Sequence, residues 1–123
     1  MKKIFVMLAV LFTSFCVTPA FAAHGSDGKD RRIVIFNNSS QTIWRLQASS
    51  STTDSWEEDI LGDHVIISGD KKVANLYDGS DECIYDLRAV FKDRTEVTKY
   101  RVNICLVYGW SVSDGTSRVI TGN

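Results

Sequence analysis

The chain has 123 residues, with 14 basic and 15 acidic side chains, 44% hydrophobic residues and three cysteines. An export signal over residues 1–22 holds Lys2 and Lys3 and no acidic residue, so the mature chain carries 12 basic against 15 acidic groups, a net charge of −3. That is enough for one domain with a modest core, and a mildly acidic balance argues against sequence-independent nucleic-acid binding, which needs a clustered basic surface, so no nucleic-acid partner is expected.

Met1 to Lys3 form a short positive start, and Ile4 to Val17 are an almost continuous apolar run of 14 residues. Pro19, Ala20, Phe21 and Ala22 give a small-x-small ending, which places cleavage after Ala22. The run is shorter than the about 20 residues a spanning helix needs, so no membrane span is expected once the signal is removed. Cys16 follows the bulky Phe15, unlike a lipid-attachment site, and leaves with the signal. The expected product is exported, periplasmic or extracellular. Its remaining cysteines, Cys83 and Cys105, form an even pair in an oxidising compartment and read as a disulfide.

Ala23 to Arg31 is polar, contains Gly25 and Gly28, and reads as a flexible leader. A β domain is expected over residues 32–113. Ile33 to Phe36 is a β-branched and aromatic run, and Asn37 to Ser40 is a turn cluster. Thr42 to Ala48 alternates, placing Trp44, Leu46 and Ala48 on one core-directed face. These two runs are expected to pair as a hairpin. Both Asn37 and Asn38 begin N-x-S sequons, but the Lys-Lys leader reads as bacterial and no glycan is expected.

Beyond the Ser/Thr loop at 49–53, Ser55 and Glu58 fit an S-x-x-E capping box. Trp56 and Ile60 are four apart and Gly62 sits at a helix-stop position, which predicts one short helical turn near 55–61. Strands are expected at 64–67, 71–77, 83–91, 96–104 and about 106–112, with turns at Ser68–Asp70 and Asp78–Asp81. The tail over 114–123 reads as frayed. About seven short strands with turn signals every 8–12 residues predict an all-β fold, a small antiparallel β-sandwich, with a small open β-barrel as the alternative.

In the 83–91 and 96–104 hairpin, Tyr85 opposes Val102 and Leu87 opposes Tyr100 if Lys92 to Thr95 make the turn. Tyr100, Val102 and Ile104 then share the inner face. Cys105 has the wrong parity to meet Cys83, which demands either a bulge near Asn103 or a strand that ends and re-aims there.

The phrases Trp56-Glu57-Glu58-Asp59-Ile60-Leu61-Gly62, Cys83-x-Tyr85-Asp86-x-x-Ala89-Val90-Phe91-x-Asp93 and Val102-Asn103-x-Cys105 occur in that order around the Gly69 turn. Together they resemble a family of small exported bacterial proteins of unknown function, over about residues 33–106. Some members of that family are labelled argininosuccinate lyase, an activity of much longer, mainly helical, oligomeric enzymes. The resemblance implies export and a two-cysteine frame, and it supplies no catalytic residues.

Asp54, Glu57, Glu58, Asp59 and Asp63 put five carboxylates within ten residues. Acidic groups in a first helical turn favour the positive end of its dipole. A calcium site drawn from Asp54, Glu57, Asp59 and Asp63 is the rival reading, since calcium takes six to eight oxygens. A small carboxylate-using hydrolase would draw on Asp59, Asp63, His64 or Asp86. Lys92, Arg94, Lys99 and Arg101 form a basic patch that reads as edge protection or as a site for an acidic partner. No nucleophile elbow, CxxC pair or phosphate-cradling loop occurs, so no catalytic residue and no cofactor is assigned. The leading expectation is an exported, non-enzymatic interaction or accessory protein with a protein or glycan partner. Its candidate surface is Trp56, Glu57, Glu58, Asp59 and Asp63, with Trp110 as a further aromatic.

Overall fold

The computed structural model describes residues 24–122. The signal, its cleavage site and Cys16 lie outside the described residues. Seven strands are present among the described residues: β1 (Arg32–Asn37), β2 (Ile43–Ser50), β3 (Lys71–Asn75), β4 (Ile84–Phe91), β5 (Glu96–Asn103), β6 (Val107–Ser113) and β7 (Thr116–Thr121). They form a four-stranded sheet in the order β3-β1-β6-β7 and a three-stranded sheet in the order β2-β4-β5. The sheets do not close into a barrel, and the fold is an all-β sandwich.

The core lies between the inner faces. Ile33, Ile35, Ala74, Trp110 and Val112 come from one sheet, and Leu46, Tyr85, Leu87, Ala89 and Val102 from the other. Period-two alternation explains most of this: Ile33 and Ile35 on β1 are 1% and 0% exposed. All strand pairs are antiparallel except β1 with β6, which is parallel, with Val34 opposite Gly109 and Ile35 opposite Trp110. The close approach there requires a glycine, because a Cβ on Gly109 would stand 2.5 Å from the Val34 carbonyl oxygen.

Several expectations change. The β1 and β2 segments do not form a hairpin but belong to different sheets. The turn cluster between them redirects the chain. The buried Asn37 Nδ2 donates to the carbonyls of Gln41 and Ile66, both at 2.8 Å, and its Oδ1 accepts from Ser39 Oγ at 2.6 Å. Residues 64–67 supply a single bridge, Ile43 with Ile66, in place of a strand. The seventh strand is instead Thr116–Thr121, within the segment read as a frayed tail. It is closed onto β6 by the two-residue Asp114-Gly115 turn, where Gly115 has φ 76°.

The stretch read as a flexible leader folds back on itself through a bridge between His24 and Asp30. Arg31, fully buried, anchors it. Its guanidinium donates to Asp27, to the carbonyls of Lys29, Asp81 and Glu82, and to Cys83 Sγ at 3.4 Å. The Cys83–Cys105 disulfide is formed, with the Cα atoms 5.4 Å apart. The parity conflict is resolved as a strand ending. β5 stops at Asn103, whose side chain accepts from the Cys105 amide at 3.1 Å while its carbonyl accepts from the Leu106 amide.

A bulge also exists in this hairpin, but closer to its middle. Tyr85 opposes Val102 as expected, whereas Leu87 opposes Lys99, so Tyr100 and Arg101 together face Asp86. Arg101 adopts φ 58°, and its amide donates to Asp86 Oδ1 at 2.9 Å. The extra residue reverses parity, burying both Val97 and Val102 and turning Tyr100 outward, 64% exposed.

Candidate functional site

β2 is an edge strand, paired within its sheet only with β4. An uncovered edge exposes unpaired N–H and C=O groups. The acidic segment covers it. The Leu46 amide donates to Asp59 Oδ1 at 2.8 Å, and the Ile60 amide donates to the Leu46 carbonyl at 2.7 Å. Gln47 Nε2 reaches the Glu57 carbonyl at 2.9 Å. Farther along, Ile43 and Ile66 exchange two backbone bonds of 2.9 Å each. Buried Leu61 fastens the segment to the core, and Gly62, with φ 61°, turns the chain away.

No helical turn forms at 55–61. A four-residue capping pattern contributes little beside main-chain pairing along a sheet edge. Asp59 therefore serves as an acceptor for the Leu46 and Leu61 amides, the latter at 3.1 Å, and not as a helix-dipole partner.

Between this cover and the chain leaving β3 lies an open groove of about 510 Å³. Ala48, Ile60 and Leu76 form its apolar part, and Tyr77 adds an aromatic wall. Four acidic residues line it, Glu57, Glu58, Asp59 and Asp78, and no Lys, Arg or His does. Burial alone would raise Asp78, but hydrogen bonds from Ser80 and Tyr85 outweigh it and hold the carboxyl below its ordinary value. Ser80 Oγ donates to Asp78 Oδ1 at 2.7 Å. Tyr85 carries the complementary shift: burial, first, pushes its phenol up to about 12.

The remaining candidates are dispersed. Trp56 leaves the groove side and lies under Arg88, whose Cζ is 5.6 Å from the ring centroid. Asp63 and His64 are exposed beyond Gly62. Trp110 is 0% exposed and belongs to the core, so it is no part of a surface. Asp54 lines a separate depression with Trp56, Asp86 and Tyr100. Of the calcium candidates, Glu57 and Asp59 share the groove, while Asp54 and Asp63 lie apart from it. Among the described residues, no three His, Cys, Asp or Glu side chains converge in a metal-holding group. Asp59 and Asp86 likewise face different depressions. Asp86 Oδ1 is engaged by Ser51 Oγ at 2.6 Å and by the Arg101 amide.

Two features escape a reading by pattern. Tyr77 reads as the end of a strand and Asp78 as the start of a turn, and their place beside Glu57 and Glu58 follows from tertiary packing. Trp44 alternates with Leu46 and Ala48, yet it points outward. A bulge between Ile43 and Arg45 puts Trp44 and Arg45 together on the outer face of the three-stranded sheet, with the Arg45 Cζ 5.3 Å from the indole centroid.

Among the described residues, no helix is long and apolar enough to cross a membrane. No family model matches the chain, and no curated protein matches it. A solved structure described as the NMR structure of the protein from Eubacterium rectale is similar over 75% of this chain and 89% of that chain, with a TM-score of 0.48 and 9% identity. Similarity at that level does not bear on function.

Proposed function

We propose that the protein is an exported, non-catalytic interaction module that takes a basic segment of a partner protein in the groove beside Glu57 and Glu58. One observation carries this reading: four acidic residues and no basic one line a partly apolar groove whose wall is pinned to a strand edge. A lysine or arginine side chain meets that environment with its charge on the carboxylates and its methylene stem along Ala48, Ile60 and Leu76. Fixed backbone lowers the ordering cost of capture. Export is supported by the signal-like residues 1–22, by the disulfide, which belongs to an oxidising compartment, and by the resemblance to small exported bacterial proteins.

The test is calorimetric titration of the oxidised, exported protein with an oligolysine peptide. Binding that weakens with salt, and falls by about tenfold in the Glu57→Gln/Glu58→Gln variant, is the expected result. Binding of equal strength in that variant, or no binding at low salt, contradicts the assignment.

A further inference from the structure

We propose that a second groove, on the outer face of the β2-β4-β5 sheet, binds a carboxylate-bearing sugar chain. This groove, of about 310 Å³, is independent of the acidic one and is lined by Trp44, Arg45, Gln47, Arg88, Arg94 and Glu96, among others. Three guanidinium groups face one carboxylate. Glu96 is already occupied by Arg88, at 2.8 Å. Arg45 and Arg94 have no carboxylate partner among the described residues. The groove therefore holds an unneutralised excess of positive charge within a chain whose mature net charge is negative.

The hydrogen-bonding inventory has the same sign. Guanidinium groups donate and do not accept, so the exposed Arg45 and Arg94 favour an acceptor-rich, anionic ligand. Backbone geometry adds a third observation. Arg94 sits in the β4-β5 turn at φ 74°, a conformation that favours glycine. The turn instead places a guanidinium beside Trp44 and Arg45. Its conformation is supported by Asp93 Oδ1, which accepts from the Thr95 amide at 3.0 Å.

The occupant follows from what the face offers. Peptides that add to a sheet use main-chain groups at an edge, and the β2 edge is already covered by Asp59 and Ile60. The groove lies on the face and presents the indole of Trp44, the Gln47 amide and three guanidinium forks, with Val90 and Glu96 completing its lining. Guanidinium forks match carboxylates bidentately, and aromatic walls take apolar ring faces. A chain of uronic-acid rings supplies both.

The test uses the oxidised, exported protein and three probes of equal length: an oligogalacturonate, a neutral oligosaccharide and an oligoglutamate. Binding is read by calorimetry and by indole fluorescence, to which Trp44, Trp56 and Trp110 contribute, and the shift is expected to be lost in Trp44→Phe. The oligogalacturonate is expected to bind and shift the emission, while the neutral sugar does not bind. Arg45→Gln with Arg94→Asn is expected to weaken binding by about tenfold or more, and Arg45→Lys to weaken it less. Both positions are exposed, and asparagine suits the positive φ at 94, so the fold is retained and unfolding temperature checks it. Three results would overturn the proposal: no uronate binding, binding unchanged in the double variant, or oligoglutamate binding as tightly as the uronate. The last of these would assign the groove to acidic peptides. Loss of oligolysine binding leaves this proposal standing, because the two grooves share no residue.

Discussion

The Asp59 carboxylate accepts the Leu46 backbone amide at 2.8 Å, so a side chain completes the free edge of β2 where a neighbouring strand is lacking. The same oxygen accepts the Leu61 amide at 3.1 Å. Removing it leaves two donors without their acceptor. Asp59→Ala should lower stability by about 1–3 kcal/mol, and Asp59→Asn, which keeps a carbonyl oxygen, by less. Glu57→Gln should change stability by under about 0.5 kcal/mol. Denaturant unfolding of the three variants checks the order, and equal losses at positions 57 and 59 would contradict the edge-cover role.

Arg31 and Asp27 predict the acid limb of stability. The Arg31 guanidinium, first, and the Lys29 amide, second, hold the Asp27 carboxyl well below the usual carboxylate range. Arg32 similarly holds Asp30 at about 2. A depressed native value means that the contribution is complete above the unfolded-chain range, about 3.9, and is lost as pH falls through the native value. Stability should therefore decline below about pH 4. Asp27→Asn should flatten that decline in part, leaving the shares of Asp30, Asp78 and Asp93, whose carboxyls are also held below their ordinary value. Urea midpoints measured at pH 5, 3 and 2.5 report both slopes, and identical slopes would remove Asp27 from the account.

Gly109 tests the parallel β1-β6 pair. Added bulk there would meet the Val34 carbonyl oxygen at 2.5 Å and the Phe36 ring at 3.0 Å, which forces the strands apart. Gly109→Ala should cost about 1–3 kcal/mol. Gly122→Ala, whose Cβ meets only Tyr108 at 3.5 Å, should be near neutral. Thermal unfolding of the two variants distinguishes them, and equal midpoints would contradict the close approach.

Much of the sandwich is legible in the sequence because alternation and turn residues carry it. Ile33 and Ile35, the Tyr85–Val102 pairing and the Cys83–Cys105 bridge all follow from patterns of period two and from cysteine number. The failures share a cause. Trp44 and Tyr100 lie at bulges, where one extra residue reverses every following side chain, and no glycine marks either site. Arg101 takes the positive φ that glycine would have announced. The last strand had an available signal in Asp114-Gly115, a hairpin dipeptide outweighed by the polar tail around it. Of the candidate surface, Glu57, Glu58 and Asp59 do share a groove. The inward position of Trp110 and the contribution of Asp78 depend on the parallel pairing and on loop packing, which local sequence does not encode.

The central claim is that the acidic groove captures a cationic side chain. Its most direct test is backbone amide chemical-shift mapping of the oxidised protein titrated with oligolysine. Shifts are expected to concentrate at Glu57 to Ile60 and Leu76 to Asp78, to be absent at Gly109 and Trp110, and to need about tenfold more peptide in Glu57→Gln/Glu58→Gln. Shifts spread evenly over every exposed acidic residue, or unchanged in the variant, would contradict it.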